Sequence, residues 1–217
     1  MSLTPIRPSR LRRLLPLTPT RDQLGAFWGR NTSRQGKVFE AIGVATLFLW
    51  VGFFISRTVL GPPAGWAVAW IACAHLLASP LLWANRKNAT IRAKGRRGAL
   101  MAGRVDKVGQ VIVPRPHDHP LMFRMLVSDE EGLDLVYEVP MARAYREIEP
   151  GMRCYCIVLS DDRDFEEVAA ISDAYIPALQ MWVGSYPYLN KESFLRMLRR
   201  RLKRLKGQRR EREQLHL

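Results

Sequence analysis

Residues 38–60, "VFEAIGVATLFLWVGFFISRTVL", and residues 66–84, "WAVAWIACAHLLASPLLWA", decide how this chain is read. The first stretch holds an uncharged run from Ala41 to Ser56, and the second has no formal charge at all. A helix of about 20 apolar residues crosses a hydrocarbon core ~30 Å thick, so the pair predicts a transmembrane hairpin over 38–84. "GPPAG" at 61–65 supplies the turn, because proline and glycine both stop a helix there. Trp66 and Trp83 stand at opposite ends of the second run, where indoles favour the membrane interface. Arg57 can extend into headgroups from the end of the first. A soluble chain of this size has little body with which to cover two such helices. Within the second run, His75 is expected to donate a helix–helix hydrogen bond. Pro80 should kink the helix, and Ser79 should satisfy a carbonyl freed by the kink.

Charge around the hairpin is segregated. Residues 1–37 carry eight Arg/Lys against one acid, and residues 84–107 repeat that ratio. Residues 108–190 reverse it, with six basic and fourteen acidic side chains, and 191–217 return to eleven against three. The positive-inside rule then places both termini on the cytoplasmic (or stromal) side of the membrane. The apolar run begins too late for a cleavable secretory signal. The layout is a basic N-terminal segment (1–37), the hairpin (38–84), a basic linker (85–100), an acidic module (101–174), an aromatic strap (175–190) and a basic tail (191–217).

The acidic module reads as short strands: 101–114, 121–128, 133–140, 152–160 and 166–174, parted by Gly, Pro and Asp turns. "MARAYREI" (141–148) reads as one or two helical turns. Five strands at this spacing predict a small antiparallel β-barrel, SH3-like or OB-like. The expected fold is therefore α+β: a two-helix transmembrane hairpin, a barrel and a C-terminal basic amphipathic helix. Cys154 and Cys156 fall two apart on one strand face, a poor geometry for a disulfide, and Cys73 lies in an apolar run. All three read as reduced and structural.

No catalytic constellation stands out. G-x-S-x-G, Walker, Rossmann and H-E-x-x-H patterns are missing from the sequence. Asp161, Asp162 and Asp164 lack the glycine and terminal glutamate of an EF-hand loop and read as a solvated turn. His117 and His119 flank Asp118 without a further ligand. Neither catalytic residues, a metal nor a cofactor are assigned, and the reading is non-enzymatic.

Recognition residues lie near the C-terminus. Phe194, Leu195, Leu198, Leu202 and Leu205 recur at helical spacing beside a basic face, with Asn190 as the expected N-cap, or Ser193 if the helix starts later. Arg196, Arg199, Arg200, Lys203 and Arg204 on that face suit anionic lipid headgroups. Tyr175, Trp182, Tyr186 and Tyr188 in the strap are expected to bind a protein partner, the alternative being that they complete the barrel core. Nucleic acid is the less favoured partner, since nucleic-acid faces combine exposed aromatics with Lys/Arg and this module is acidic.

The basic N-terminus, the apolar hairpin, "EPGMRCYCIVLSDD" and "ISDAYIPALQMWVGSYPYLNKESF" together resemble an uncharacterised membrane-protein family of cyanobacteria and plastids. The resemblance covers residues 35–200 and is strongest at 171–194. It implies a thylakoid or plasma-membrane setting and a role in assembling or stabilising a photosystem or another photosynthetic complex. The expected partners are subunits of such a complex. The alternative function is a membrane tether for RNA or ribosomes, acting through the basic linker and tail.

Overall fold

Strand β2 (Arg97–Ile112) organises the body. The computed structural model describes residues 3–27, 32–55, 62–113 and 121–215. One side of β2 pairs along Arg97–Arg104 with β5 (Arg153–Ser160). The other side serves two partners in turn, first β1 (Leu3–Ile6) at Gly98–Met101 and then β3 (Leu121–Ser128) from Arg104 onward. The register shifts between Val105 and Lys107, an irregularity that bends the strand and lets the sheet curl. β4 (Asp134–Pro140) continues the sheet beyond β3. β6 (Ala170–Ile171), β7 (Ala174–Ile176) and β8 (Met181–Val183) complete it, giving the order β4-β3-β2-β5-β7-β8 with β1 and β6 off this path.

Alternation along β5 shows why both faces of this sheet are buried. Cys154, Cys156 and Val158 point into one core with Met101, Val105, Phe123, Met125, Tyr137 and Ile176. Tyr155, Ile157 and Leu159 point into a second core with Leu11, Leu14, Leu100, Phe194 and Leu198. The near-continuous apolar run in "RCYCIVLS" is the signature of a strand covered on both sides. The outer cover comes from α1 (Pro8–Leu14), the last turns of a long helix at Ile91, and α5 (Lys191–Leu215).

The predicted hairpin-plus-barrel architecture is corrected here. The sheet is open and curled: β4 and β8 are its ends and do not pair with one another. Its outer face is covered by α1, the end of the long helix at Ile91 and α5, and is not the solvent-facing exterior expected of a free-standing barrel. α3 (Thr32–Ile55) and α4 (Pro62–Ala93) do pack antiparallel, with Gly52 against Val68 and Phe48 beside His75. Small residues let them approach; a Cβ on Gly52 would sit 2.5 Å from that of Val68. They are not a separate module, because α4 continues through the expected linker to Ala93 and its end belongs to the second core.

The two-span localisation, with both termini cytoplasmic or stromal, is corrected as well. Among the described residues one stretch, Ala67–Ala93, is long and apolar enough to cross a membrane, its most apolar 18 residues having a mean hydropathy of 1.7. The apolar part of α3, Val38–Phe54, is shorter. At 1.5 Å per residue it covers only about 25 Å of a ~30 Å core. Arg57 and the turn at 56–61 lie outside the described residues. Ser79 donates to the His75 carbonyl at 2.7 Å, one residue before the carbonyl that Pro80 leaves free.

Candidate functional site

Helix α2 (Arg21–Phe27) begins at a reciprocal cap. Gln23 N–H donates to the Thr20 hydroxyl at 3.3 Å, while Thr20 N–H donates to Gln23 Oε1 at 3.0 Å. The cap aims the Gln23 amide inward, and the side chain is wholly buried. There it exchanges two hydrogen bonds with the buried Asn88 amide of α4, both 3.0 Å, and donates to the Pro187 carbonyl at 3.0 Å. One amide pair thus ties α2, α4 and the strap together. Neighbouring contacts reinforce the joint: Asn190 N–H to the Leu14 carbonyl at 2.8 Å, Lys191 to Asp22 at 2.9 Å, and Arg92 to the Leu15 carbonyl.

Aromatic rings fill this junction in two groups. Phe27, Trp83, Tyr186 and Tyr188 form a chain of edge-to-face contacts, with centroids 5.6, 5.1 and 4.8 Å apart. Tyr175, Trp182 and Phe194 form a triangle, with Tyr175–Trp182 at 4.9 Å and Trp182–Phe194 at 5.3 Å. The four strap residues assigned to partner binding are therefore not gathered on one face. Tyr186 is buried against α4, while Tyr175, Trp182 and Tyr188 are half-buried along α5 and the sheet. Trp182 keeps an open side, with the Lys191 ammonium 6.0 Å from its ring.

Beneath the strap lies Asp173, a buried carboxylate absent from the expected site. Leu189 N–H donates to its Oδ1 at 3.1 Å, and its Oδ2 is buried without a partner among the described residues, as are the Tyr186 hydroxyl and Trp83 Nε1. Burial pushes its pKa up to about 7, against the opposing pull of the Leu189 N–H. Gly184 makes this approach possible, since a Cβ there would lie 2.7 Å from that of Asp173. Asp173, Ser172, Tyr137, Tyr186 and Tyr188 border a cavity of about 140 Å³. This arrangement can hold a proton and pin the strap. Two sequence features lie here that the reading of the sequence did not use: the Thr20-x-x-Gln23 capping-box spacing, and the lone acid in an otherwise apolar stretch.

α5 starts where Asn190 predicts, with Ser193 N–H donating to Asn190 Oδ1 at 3.0 Å. Phe194 and Leu198 are buried, while Arg196, Arg199, Arg200, Lys203 and Arg204 are exposed. Arg196 pairs with Glu192 at 3.3 Å. The acidic turn caps its own backbone: Asp162 accepts from Arg163 and Glu166 N–H groups, and Asp161 accepts from Arg96 N–H. His117 and His119 lie outside the described residues. All three cysteines are free, and burial raises the Cys156 thiol to about 12.

Among the described residues, α3 and α4 carry a group of exposed large apolar side chains. Phe39, Leu47, Trp50 and Phe54 on α3, with Trp70 and Leu77 on α4, are each more than half exposed. Monomeric soluble proteins rarely leave such a contiguous apolar area in water.

No curated protein and no solved structure matches the chain. A family model does match, over residues 4–211, nearly from end to end. It carries no statement about cyanobacteria, plastids or photosynthesis. The chain therefore belongs to the family described as "Family of unknown function (DUF8619)".

Proposed function

We propose that this protein is a non-enzymatic accessory factor of a membrane-embedded complex. It is held to the bilayer through α4, and its curled sheet and strap form a rigid body at the membrane surface. The observation that carries this reading is the apolar exterior of α3 and α4 beside a body whose own two cores are closed. Lipid is the occupant that suits this exterior, because Trp70, Ile71, Leu77, Leu81 and Leu82 expose a broad apolar side of α4, wider than the stripe a narrow protein groove would cover. The shorter apolar stretch of α3 packs along α4 and is not itself counted as a span. The junction of Gln23, Asn88 and the aromatic chain then fixes the body to the helix that anchors it. The half-exposed Trp182 and Tyr175 offer a protein subunit a place to dock, and the exposed basic face of α5 faces anionic headgroups.

Cys73 provides the test, since it is exposed on α4 whereas Cys154 and Cys156 are buried. The full chain in lipid vesicles should float with the lipid. Cys73 should resist a membrane-impermeant maleimide until detergent is added. Rapid labelling of Cys73 in intact vesicles, or recovery of the chain in the lipid-free fraction, would sink the anchoring reading. Affinity purification in several mild detergents tests the accessory role, which fails if the protein is always recovered alone.

A further inference from the structure

Arg104 of β2 stands directly opposite Arg153 of β5, and on its other side opposite Ser128 of β3. By alternation both arginines lie on the outer face, with Leu100, Ala102, Tyr155 and Ile157. Like charges at directly opposed positions destabilise an antiparallel pair. Among the described residues neither arginine has an acidic partner; the ion pairs found there are Arg124–Glu138, Lys191–Asp22 and Arg196–Glu192. A third guanidinium comes from α5. Arg201 is half-buried and donates to the Thr4 hydroxyl of β1. Between the three lies a cavity of about 200 Å³, walled also by Ser128, Tyr155 and Glu130.

Three guanidiniums against one carboxylate, gathered from two strands and a helix, make a setting for a small anion with several acceptor oxygens. A guanidinium binds such a group through two parallel N–H···O bonds, so planar recognition of phosphate favours arginine over lysine. A phosphate bound there would also neutralise the opposed Arg104–Arg153 pair, to which the described residues supply no ion pair. We propose that the cavity bordered by Arg104, Arg153 and Arg201 is a binding site for a phosphomonoester group. The site is distinct from the anchoring surface and does not depend on it. The phosphate can belong to a lipid headgroup or to a soluble phosphate compound, and the two are separated by experiment.

The test uses the full chain in nonionic micelles, titrated at constant ionic strength with inorganic phosphate, short-chain phosphatidic acid, or chloride. Both phosphate-bearing ligands should bind and raise the melting temperature, and chloride should do neither. Tighter binding of phosphatidic acid assigns the site to lipid; equal or weaker binding assigns it to soluble phosphates. Arg153→Gln should weaken binding about tenfold or more, as expected for loss of charge-assisted hydrogen bonds. Arg153→Lys, which keeps the charge but loses the paired geometry, should fall between. Arg146→Gln, at an exposed arginine between β4 and β5 that does not border the cavity, should bind as wild type. Without ligand, Arg153→Gln should melt no lower than wild type, because it removes a repulsion. The proposal is overturned if phosphate binds no better than chloride, or if Arg104→Gln and Arg153→Gln both bind unchanged.

Discussion

Asp173→Asn is the sharpest probe of the junction beneath the strap. In the unfolded chain the carboxyl titrates near its ordinary 3.8, and in the folded body burial raises it to about 7. The folded state therefore holds this proton more tightly than the unfolded state. Its contribution to stability is fully present below about pH 4 and is lost as pH rises toward 7. The gap of about three pKa units corresponds to ~4 kcal/mol, at 1.36 kcal/mol per unit. Denaturant titration in nonionic micelles at half-unit steps from pH 4 to 8 would measure this loss for wild type and variant. Asparagine keeps an oxygen for the Leu189 N–H but has no proton to lose. The variant's curve should therefore lie flatter than wild type between pH 4 and 7, and the difference should stop growing above 7. Parallel curves would refute the reasoning, because they would mean that Asp173 titrates alike in both states.

Gln23→Ala should destabilise the fold by ~2–4 kcal/mol, since it leaves the buried Asn88 amide unpaired. In a double-mutant cycle Asn88→Ala should then add much less than its own single effect. Gly184→Ala forces a methyl to within 2.7 Å of the Asp173 Cβ and should cost ~1–3 kcal/mol by thermal melting, typical of overpacking. Cys154 and Cys156, buried with raised thiol pKa values, should stay unreactive toward thiol reagents until global unfolding. Cys73 in micelles too small to shield it should react first. Trp182→Ala should cost ~1–3 kcal/mol through lost contacts with Tyr175 and Phe194, and should also weaken capture of any protein partner.

Local order was legible in the sequence where period and punctuation agree. Strand β3 occupies the expected 121–128, β4 stops at Pro140, and Asn190 caps α5. The closed barrel was the wrong inference because strand spacing says nothing about what covers the outer face. That information is in "RCYCIVLS", whose unbroken apolarity marks a strand buried on both sides. Two spans were inferred from uncharged runs alone. The apolar stretch of α3 within the described residues, Val38–Phe54, is shorter than a span, and the last turns of α4 turn one side to a protein core, as Ala84, Asn88 and Ile91 show. The N-terminal segment reads as basic and featureless, yet Leu11 and Leu14 are core residues whose partners lie nearly 180 residues further on. Such long-range pairings leave no local signal. Of the candidate site, the aromatic strap was visible by composition. Asp173 and the Gln23–Asn88 amides were not singled out, because a lone polar residue acquires meaning only from its neighbours in space.

Closure of the second core by α5 has a consequence for biosynthesis. Phe194 and Leu198 come from the last segment of the chain to be made, while α3 and α4 precede them by roughly a hundred residues or more. At ~5–20 residues per second, the apolar helices leave the ribosome on the order of 5–20 s before the body can fold around the end of α4. During that interval nothing in the chain itself shields them. Under the anchoring proposed above, targeting would act on α4 while translation continues, and a chain truncated before Lys191 should still reach the membrane yet lack the α5 side of its second core.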